Sequence, residues 1–280
     1  MDENNLTEEK KISVVTVCRN AENCLEETIL SVLSQNYLGF EYIITDGNST
    51  DGTMEIVRKY ERPFAEKGVK YSFQSEPDKG IYDAMNKSLD KASGEWILFM
   101  NAGDSFFDDK VLETIFQQDY LDCDFIYGNV VLLENGKYKK AYVGSINDIT
   151  DQSPICHQGT MTRLETLKKY RFDDTYRLAA DYDVMMRMNR DNCVFQKIDC
   201  IVAIFGLGGT SSQQSINYLR EMNRSRTANG FVCPHKLGYY MARLRRYNAI
   251  RRLAKVVLGD GFYSEKRGWF SDKEKAAGHG

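Results

Sequence analysis

No two of the seven cysteines, Cys18, Cys24, Cys123, Cys156, Cys193, Cys200 and Cys233, are spaced Cys-x-x-Cys, and their number is odd. That argues against a zinc cluster or a disulfide framework and leaves reduced thiols as the default. No apolar run approaches the ~18–20 residues that a membrane span needs, so any membrane contact is expected to be peripheral. The first ten residues are polar and acidic, unlike a signal peptide, and are expected to be disordered. There is no internal repeat and no low-complexity linker. Excess basic charge is missing too: the formal net charge is −3, with a pI near 5.8, which gives no global reason to expect nucleic-acid binding. One absence is local. From Met222 to Gly259 there is no Asp or Glu, while Arg224, Arg226, Lys236, Arg243, Arg245, Arg246, Arg251, Arg252 and Lys255 all fall there.

What is present is ordinary in amount and informative in order. With 280 residues, 42% hydrophobic and 28% charged, the chain can bury a substantial core as one large domain or two small ones. Ile12–Cys18 is a β-branched run, hence a buried strand, and it exits into Arg19-Asn20. Residues 22–35 carry Leu25, Ile29, Val32 and Leu33 at helical spacing. A second strand, 41–45, runs into Asp46-Gly-Asn-Ser-Thr-Asp-Gly-Thr53, a loop with two glycines and several capping residues before a helix over 54–61. A strand over 70–74, a helix over 80–92 and a strand over 96–100 follow. Strand–helix alternation with short connections predicts an α/β fold with a mostly parallel, Rossmann-like sheet flanked by helices.

The run Trp96–Met100 ends abruptly in Asn101, Ala102, Gly103 and Asp104. A buried strand ending this way delivers its polar residues to the sheet's C-terminal edge, where open α/β sheets bind ligands. Asp46, Asp78, Lys79 and Asp104 are expected to converge there from three loops. The plainer reading of Asp104 is a turn and a helix cap.

Beyond residue 105 the pattern changes. A helix near 109–118 precedes two strands, 124–133 and 137–143, around an Asn135-Gly136 hairpin turn. The loop Ser153–Thr160 leads to a helix over 164–170. Ala179–Met188 reads as a helix with an apolar face, residues 194–205 as extended, and Gly206–Ser212 as a flexible loop that is either a lid or an ordinary connection.

Taken together, the chain resembles the inverting family 2 glycosyltransferases of the GT-A fold. Four segments carry the resemblance. Ile12-Ser-Val-Val-Thr-Val-Cys-Arg-Asn20 is similar to the family's first strand. Asp46-Gly-Asn-Ser-Thr-Asp-Gly-Thr53 resembles its "DGSxDGT" loop. Gly94–Asp104 resembles "GEYIxFLDADD", and Ala180-Asp-Tyr-Asp-Val-Met-Met-Arg187 resembles "EDYDLLLR". The segment Glu76–Lys87 narrows the likeness to the bacterial exopolysaccharide and capsule branch, of the colanic-acid type.

The resemblance implies a nucleotide-sugar donor, most often a UDP-sugar. It places Thr16, Cys18 and Arg19 along the nucleotide, and Asp46 on the ring N–H of the base, against the alternative of an Asx turn or helix cap. Asp78, Lys79 and Asn101 complete the donor set. Asp104 matches the last aspartate of the metal motif and implies Mg²⁺ or Mn²⁺. Two carboxylates of that motif are missing, with Asn101-Ala102-Gly103 in their place, and Lys79 is a candidate to share the neutralisation. Asp181 matches the general base that takes a proton from the acceptor hydroxyl in single-step inversion. The preceding glutamate of the family is Ala180 here. Asp183 is the competing carboxylate, and an N-cap is the structural alternative for Asp181. His157 and Gln158 are candidate acceptor contacts.

Residues 1–10 and 271–280 are expected to be disordered, 11–212 to form the catalytic domain (nucleotide half 11–105, acceptor half 106–212), and 213–270 a helical, basic extension. Within the extension, 236–258 interleaves cations with aromatic and aliphatic residues. That suits an interfacial helix at an anionic membrane, a helix packed on the catalytic domain, or a homo-oligomer contact. The combined expectation is a cytoplasmic enzyme at the inner face of the plasma membrane, moving one sugar to a polyprenyl-linked saccharide. The rivals are a nucleotide-binding scaffold without turnover and a sugar nucleotidyltransferase. The latter needs a glycine-rich basic loop where this chain has Arg19-Asn-Ala-Glu22.

Overall fold

The computed structural model describes residues 12–118, 120, 122–141, 144–151, 153–207, 216–232 and 237–258. The terminal stretches expected to be disordered lie outside them. In chain order the elements are β1 (Ile12–Cys18), α1 (Leu25–Leu33), β2 (Phe40–Asp46), α2 (Thr53–Lys59), α3 (Glu61–Lys67), β3 (Lys70–Ser75), α4 (Ile81–Lys91), β4 (Trp96–Phe99), β5 (Ser105–Phe106) and α5 (Val111–Phe116). They continue with β6 (Phe125–Glu134), β7 (Lys137–Ala141), β8 (Thr160–Arg163), α6 (Leu164–Tyr170), α7 (Ala180–Arg190), β9 (Phe195–Gly206), α8 (Ile216–Ala228) and α9 (Leu237–Leu258).

The strands form one sheet in the order β3-β2-β1-β4-β8-β6-β9-β5, with β7 paired to β6. Parallel pairing holds across β3, β2, β1 and β4. Beyond β4 the sheet is mixed: β8 runs antiparallel to both β4 and β6, β9 is parallel to β6, and β5 is antiparallel to β9. The expected α/β fold with a Rossmann-like sheet flanked by helices is present; the sheet is wholly parallel in the first half of the chain and mixed in the second, where only β6 and β9 are parallel among the described strands. The second half uses short antiparallel strands, β5 and β8, that two and four residues of sequence cannot announce. The helix α3 was also hidden, because Pro63 suggests a break. It sits at the third helical position, where the missing N–H has no intrahelical partner to lose.

The pleat of β1 divides the core into two layers. Ile12, Val14 and Cys18 face the layer shared with α1, α2, α3 and α5. Val15 and Val17 face the layer shared with α4, α6, α7 and α8. Because β1 to β4 are parallel, the connections after them all emerge at one edge.

Candidate active site

Loops after β1, β2 and β3 are knitted together at that edge. The Asn20 amide donates to Ser49 Oγ at 2.7 Å, and Asn20 Oδ1 accepts from the Thr50 amide at 2.9 Å. Glu22 accepts from the Gly52 amide at 2.7 Å. Asp46 is fully buried at the centre. It accepts from the Ser49 amide (2.9 Å), Ser49 Oγ, Ser75 Oγ (2.6 Å) and, more distantly, the Cys18 thiol (3.7 Å). A carboxylate has about four lone-pair sites, so these contacts fill it. In this arrangement Asp46 organises the loop as an Asx turn, and a base N–H would have to displace one of its partners. Cys18 is buried beside it, and burial, then the Asp46 charge, pushes its thiol up and keeps it protonated.

Gly47 is where Arg19 and Asp78 meet. A Cβ there would lie 2.2 Å from Asp78 Oδ2 and 3.3 Å from Arg19 Cδ. Asp78 also accepts from the Gly80 amide at 3.0 Å. Arg19 and Lys79 are exposed and, among the described residues, neither is paired with a carboxylate. Both cations stand at the edge where open α/β sheets bind ligands. Thr16 requires a correction. It shares the pleat of Ile12 and Val14, is fully buried, and donates to the Met100 carbonyl at 2.6 Å with Tyr42 Oη 2.8 Å away. Its side chain is core, not donor site.

The turn after β4 is closed by the Asp104 amide on the Asn101 carbonyl at 2.9 Å. Asp104 is buried, and its Oδ1 accepts from the Gly206 amide at 3.1 Å. Burial pushes its carboxyl up to about 7, against the opposing pull of the Gly206 amide and the Gln158 side chain. Asn101 Oδ1 is buried without a hydrogen-bond partner. Gln158 is likewise buried; its Oε1 accepts from the Cys156 thiol at 3.1 Å, and the side chain donates to Asp104. The Gln158 amide thus supports Asp104.

His157 stacks on Phe99, with ring centroids 5.7 Å apart, and meets the edge of Phe172 at 6.1 Å. Burial lowers its pKa, opposed by the charge of Asp181, and its Nε2 is buried without a partner. Cys156, next in sequence, is pushed up to about 12, chiefly by burial, and feels the charges of both Asp104 and Asp181. Asp104 and Asp181 thus both lie near the loop 156–158.

Asp181 opens α7, half-buried, where free N–H groups favour an anion. Its Oδ1 accepts from Tyr82 Oη at 3.2 Å. The Ala180 amide donates to that same phenol, which stacks on Phe172 at 5.7 Å. Tyr82 thereby caps α7 and holds its first carboxylate. From the other side Glu221 of α8 accepts from the amides of Arg177, Leu178 and Ala179 at 3.1, 2.8 and 3.0 Å. Asp183 points into the protein. It is buried, paired with Arg187 at 2.7 Å and accepts from Ser225 Oγ at 2.7 Å, so it is structural. Tyr82 and Glu221 were not anticipated. A phenol inside the polar segment Glu76–Lys87, following Gly80 at φ 139°, was the available signal, since a buried Tyr hydroxyl needs a partner. Nothing in the sequence around Glu221 links it to α7.

The glycosyl transferase family 2 profile matches residues 13–193, more than half of the chain and the whole of the edge described above. The chain belongs to glycosyl transferase family 2. It is 28% identical over 208 residues to a PGL/p-HBAD biosynthesis glycosyltransferase of Mycobacterium bovis, covering 71% of this chain and 78% of that protein. It is 26% identical over 264 residues to the putative glycosyltransferase EpsE of Bacillus subtilis, covering 91% and 87%. Among solved structures, S. aureus TarS 1–349 in complex with UDP-GlcNAc superposes with a TM-score of 0.63 at 18% identity, covering 82% of this chain and 69% of that one. The mannosyltransferase PcManGT of Pyrobaculum calidifontis, in complex with GDP-Man and Mn²⁺, gives 0.61 at 15% identity, covering 92% and 83%. Both show the GT-A-like fold.

Could this site hold a divalent cation? Among the described residues no three His, Cys, Asp or Glu side chains gather into a cage. Asp104 and the orphaned Asn101 Oδ1 instead offer one charged and one neutral oxygen within a single turn. A hard cation is held in that way when substrate phosphates complete its shell. The residues present fit Mg²⁺ or Mn²⁺ bound together with a diphosphate.

Proposed function

We propose that this family 2 member transfers one sugar from a nucleotide donor, in first rank a UDP-sugar, to a saccharide carried on a lipid, with inversion. The observation that supports the reading is that Asp104, beside the orphaned Asn101 Oδ1, and Asp181, held by Tyr82, both lie near the loop 156–158. The acceptor oxygen attacks the anomeric carbon as the bond from that carbon to the diphosphate oxygen breaks. The acceptor proton goes to Asp181, whose Oδ2 has no donor among the described residues, while Tyr82 fixes Oδ1. Arg19 and Lys79 meet the phosphates, and neutral His157 offers Nε2 to a sugar hydroxyl. A Mg²⁺ or Mn²⁺ ion held by Asp104 and Asn101 would stabilise the departing nucleoside diphosphate.

A bacterial polysaccharide repeat unit on a polyprenyl carrier, of exopolysaccharide or capsule type and met at the inner face of the plasma membrane, is the acceptor class this reading favours. A relative named for teichuronic acid biosynthesis in Bacillus subtilis, 30% identical over 140 residues and covering 50% of this chain and 54% of its own, supports it. The test is a thermal-shift panel of UDP, GDP, TDP and CMP with and without Mn²⁺. Ligand at about 100 times its dissociation constant adds roughly 2.7 kcal/mol. A metal-dependent shift with one nucleoside diphosphate, weakened by Asp104→Ala, identifies the donor class. Transfer from the matching sugar nucleotide should then fall by about 10²–10⁴ in Asp181→Asn. Equal shifts with and without metal would remove the ion from the scheme, and binding without any effect of Asp181→Asn would leave the scaffold reading.

A further inference from the structure

The helix α9 has a face that the catalytic reading does not use. It spans Leu237–Leu258, about 33 Å at 1.5 Å per residue. Its sequence carries six cations and no acid, Arg243, Arg245, Arg246, Arg251, Arg252 and Lys255. Ile250, Leu253, Val256 and Val257 are exposed by 56, 66, 82 and 70%, and Arg245 and Arg246 are exposed one turn earlier. At about 100° per residue these six positions fall within an arc of roughly 140° centred near Leu253. The face is therefore apolar over its C-terminal half and cationic at its start. No helix among the described residues is long and apolar enough to cross a membrane.

The root of α9 is tied to the catalytic body. Tyr240 Oη donates to Asp151 at 2.5 Å, and the Arg226 guanidinium lies 5.6 Å from the Tyr240 ring. Arg226 is itself buried and donates through Nε to Tyr182 Oη at 2.8 Å. Tyr182 is the neighbour of Asp181 on α7. A surface that grips α9 is thus connected, through Arg226, to the shell beneath Asp181.

We propose that the exposed face of α9 from Arg245 to Val257 docks in the headgroup layer of an anionic lipid surface, and that the Tyr240–Asp151–Arg226 root sets how the candidate site stands over it. Aliphatic side chains beside arginines on one face suit the boundary between headgroups and acyl chains. The acid-free charge is complementary to anionic lipid. A second copy suits it less, because an antiparallel two-fold contact would set the arginines at the start of one face against the apolar end of the other. The assignment stands on α9 and its root and survives any revision of the donor or of the base.

The experiment uses the full chain with extruded phosphatidylcholine vesicles, with and without phosphatidylglycerol. The chain should sediment with the anionic vesicles only, and less so as salt rises. Arg245→Gln with Arg246→Gln should weaken binding by roughly tenfold or more, each basic residue near the surface contributing a factor of about five. Leu253→Asp with Val257→Asp should abolish it while the melting temperature stays put, since both side chains are exposed. Absence of sedimentation, equal sedimentation without phosphatidylglycerol, or binding unchanged in the Leu253/Val257 variant each overturns the proposal. So does a dimer by light scattering that Leu253→Asp dissociates, which would make the face a contact between copies.

Discussion

Asp104 should make the metal-free protein weaker than it needs to be. Its carboxyl stands at about 7 in the fold, against an ordinary value of 3.8, because it is buried. A raised carboxyl contributes its full stability below about pH 3.8 and loses it as pH climbs through 7. The difference of roughly three units corresponds to about 4 kcal/mol at 1.36 kcal/mol per unit. Asp104→Asn is a standing copy of the protonated form and removes that loss. In EDTA the variant should therefore melt with the wild type at pH 4 and above it at pH 8. The gap at pH 8 should be roughly 10 °C, taking 2–4 °C per kcal/mol for a chain of this size. Scanning fluorimetry at pH 4, 6 and 8 measures the gap directly. If the two proteins melt together at pH 8, or are separated equally at all three pH values, the buried carboxylate is not strained and the reasoning fails. The same variant should lose any stabilisation by Mn²⁺ with nucleoside diphosphate. On the proposed reading, the ionised, unrelieved Asp104 is then a stability cost kept for function.

Other substitutions probe separate parts. Glu41 is fully buried, and although burial pushes its carboxyl up, Lys70, Ser93 and Ser13 together hold it down at about 2. Glu41→Gln should cost about 2–3 kcal/mol at pH 7 by urea unfolding, and the gap should close as pH falls from about 4.5 toward 2. Tyr82→Phe keeps the stack on Phe172 but loses the bond to Asp181. It should lower the turnover number by roughly tenfold with the Michaelis constant for donor unchanged, and a Phe variant as damaged as Asp181→Asn would mean that Tyr82 does more than orient. Gly47→Ala puts a methyl where Asp78 Oδ2 now sits. Because a side chain can swing aside, the melting temperature should change by no more than about 3 °C, whereas nucleotide-induced shifts should shrink; intact shifts would show that Asp78 and Arg19 need not meet over Gly47.

How legible was all this beforehand? The four parallel strands and their loops could be read directly, because β-branched runs such as Ile12–Cys18 and capping-rich turns such as Asp46–Thr53 carry local signals. The Asn135-Gly136 hairpin was equally plain, with both residues at positive φ. Side-chain direction was harder. The resemblance puts Thr16 along the nucleotide, yet the pleat turns it inward beside Tyr42, and a shift of one residue changes the face. The partners of Asp46 and Asp181 were out of reach for another reason. Ser75 lies 29 residues from Asp46, and Tyr82 lies 99 residues from Asp181. The first follows from the register of β2 on β3, and the second from how the two halves of the sheet join at β8, four residues with no pattern of their own.

That strand has a consequence for the order of assembly. The parallel half joins the mixed half through β8, whose registered partners on β4 are just Trp96 and Ile97. The clasp over this seam is Arg163, which meets Glu95 at 2.5 Å, the Cys123 and Tyr120 carbonyls at 2.7 Å, and the Trp96 ring at 4.7 Å. Residues that touch across short sequence distances close first, and those that must wait for a long loop close later. The nucleotide-side loops come from the early half, whereas Asp181 comes from the late half. On the proposed reading, a nascent or partly opened chain would hold the loops that take the donor before Asp181 was in place, so a nucleotide-sugar bound early would have no acceptor proton taken until the seam had closed.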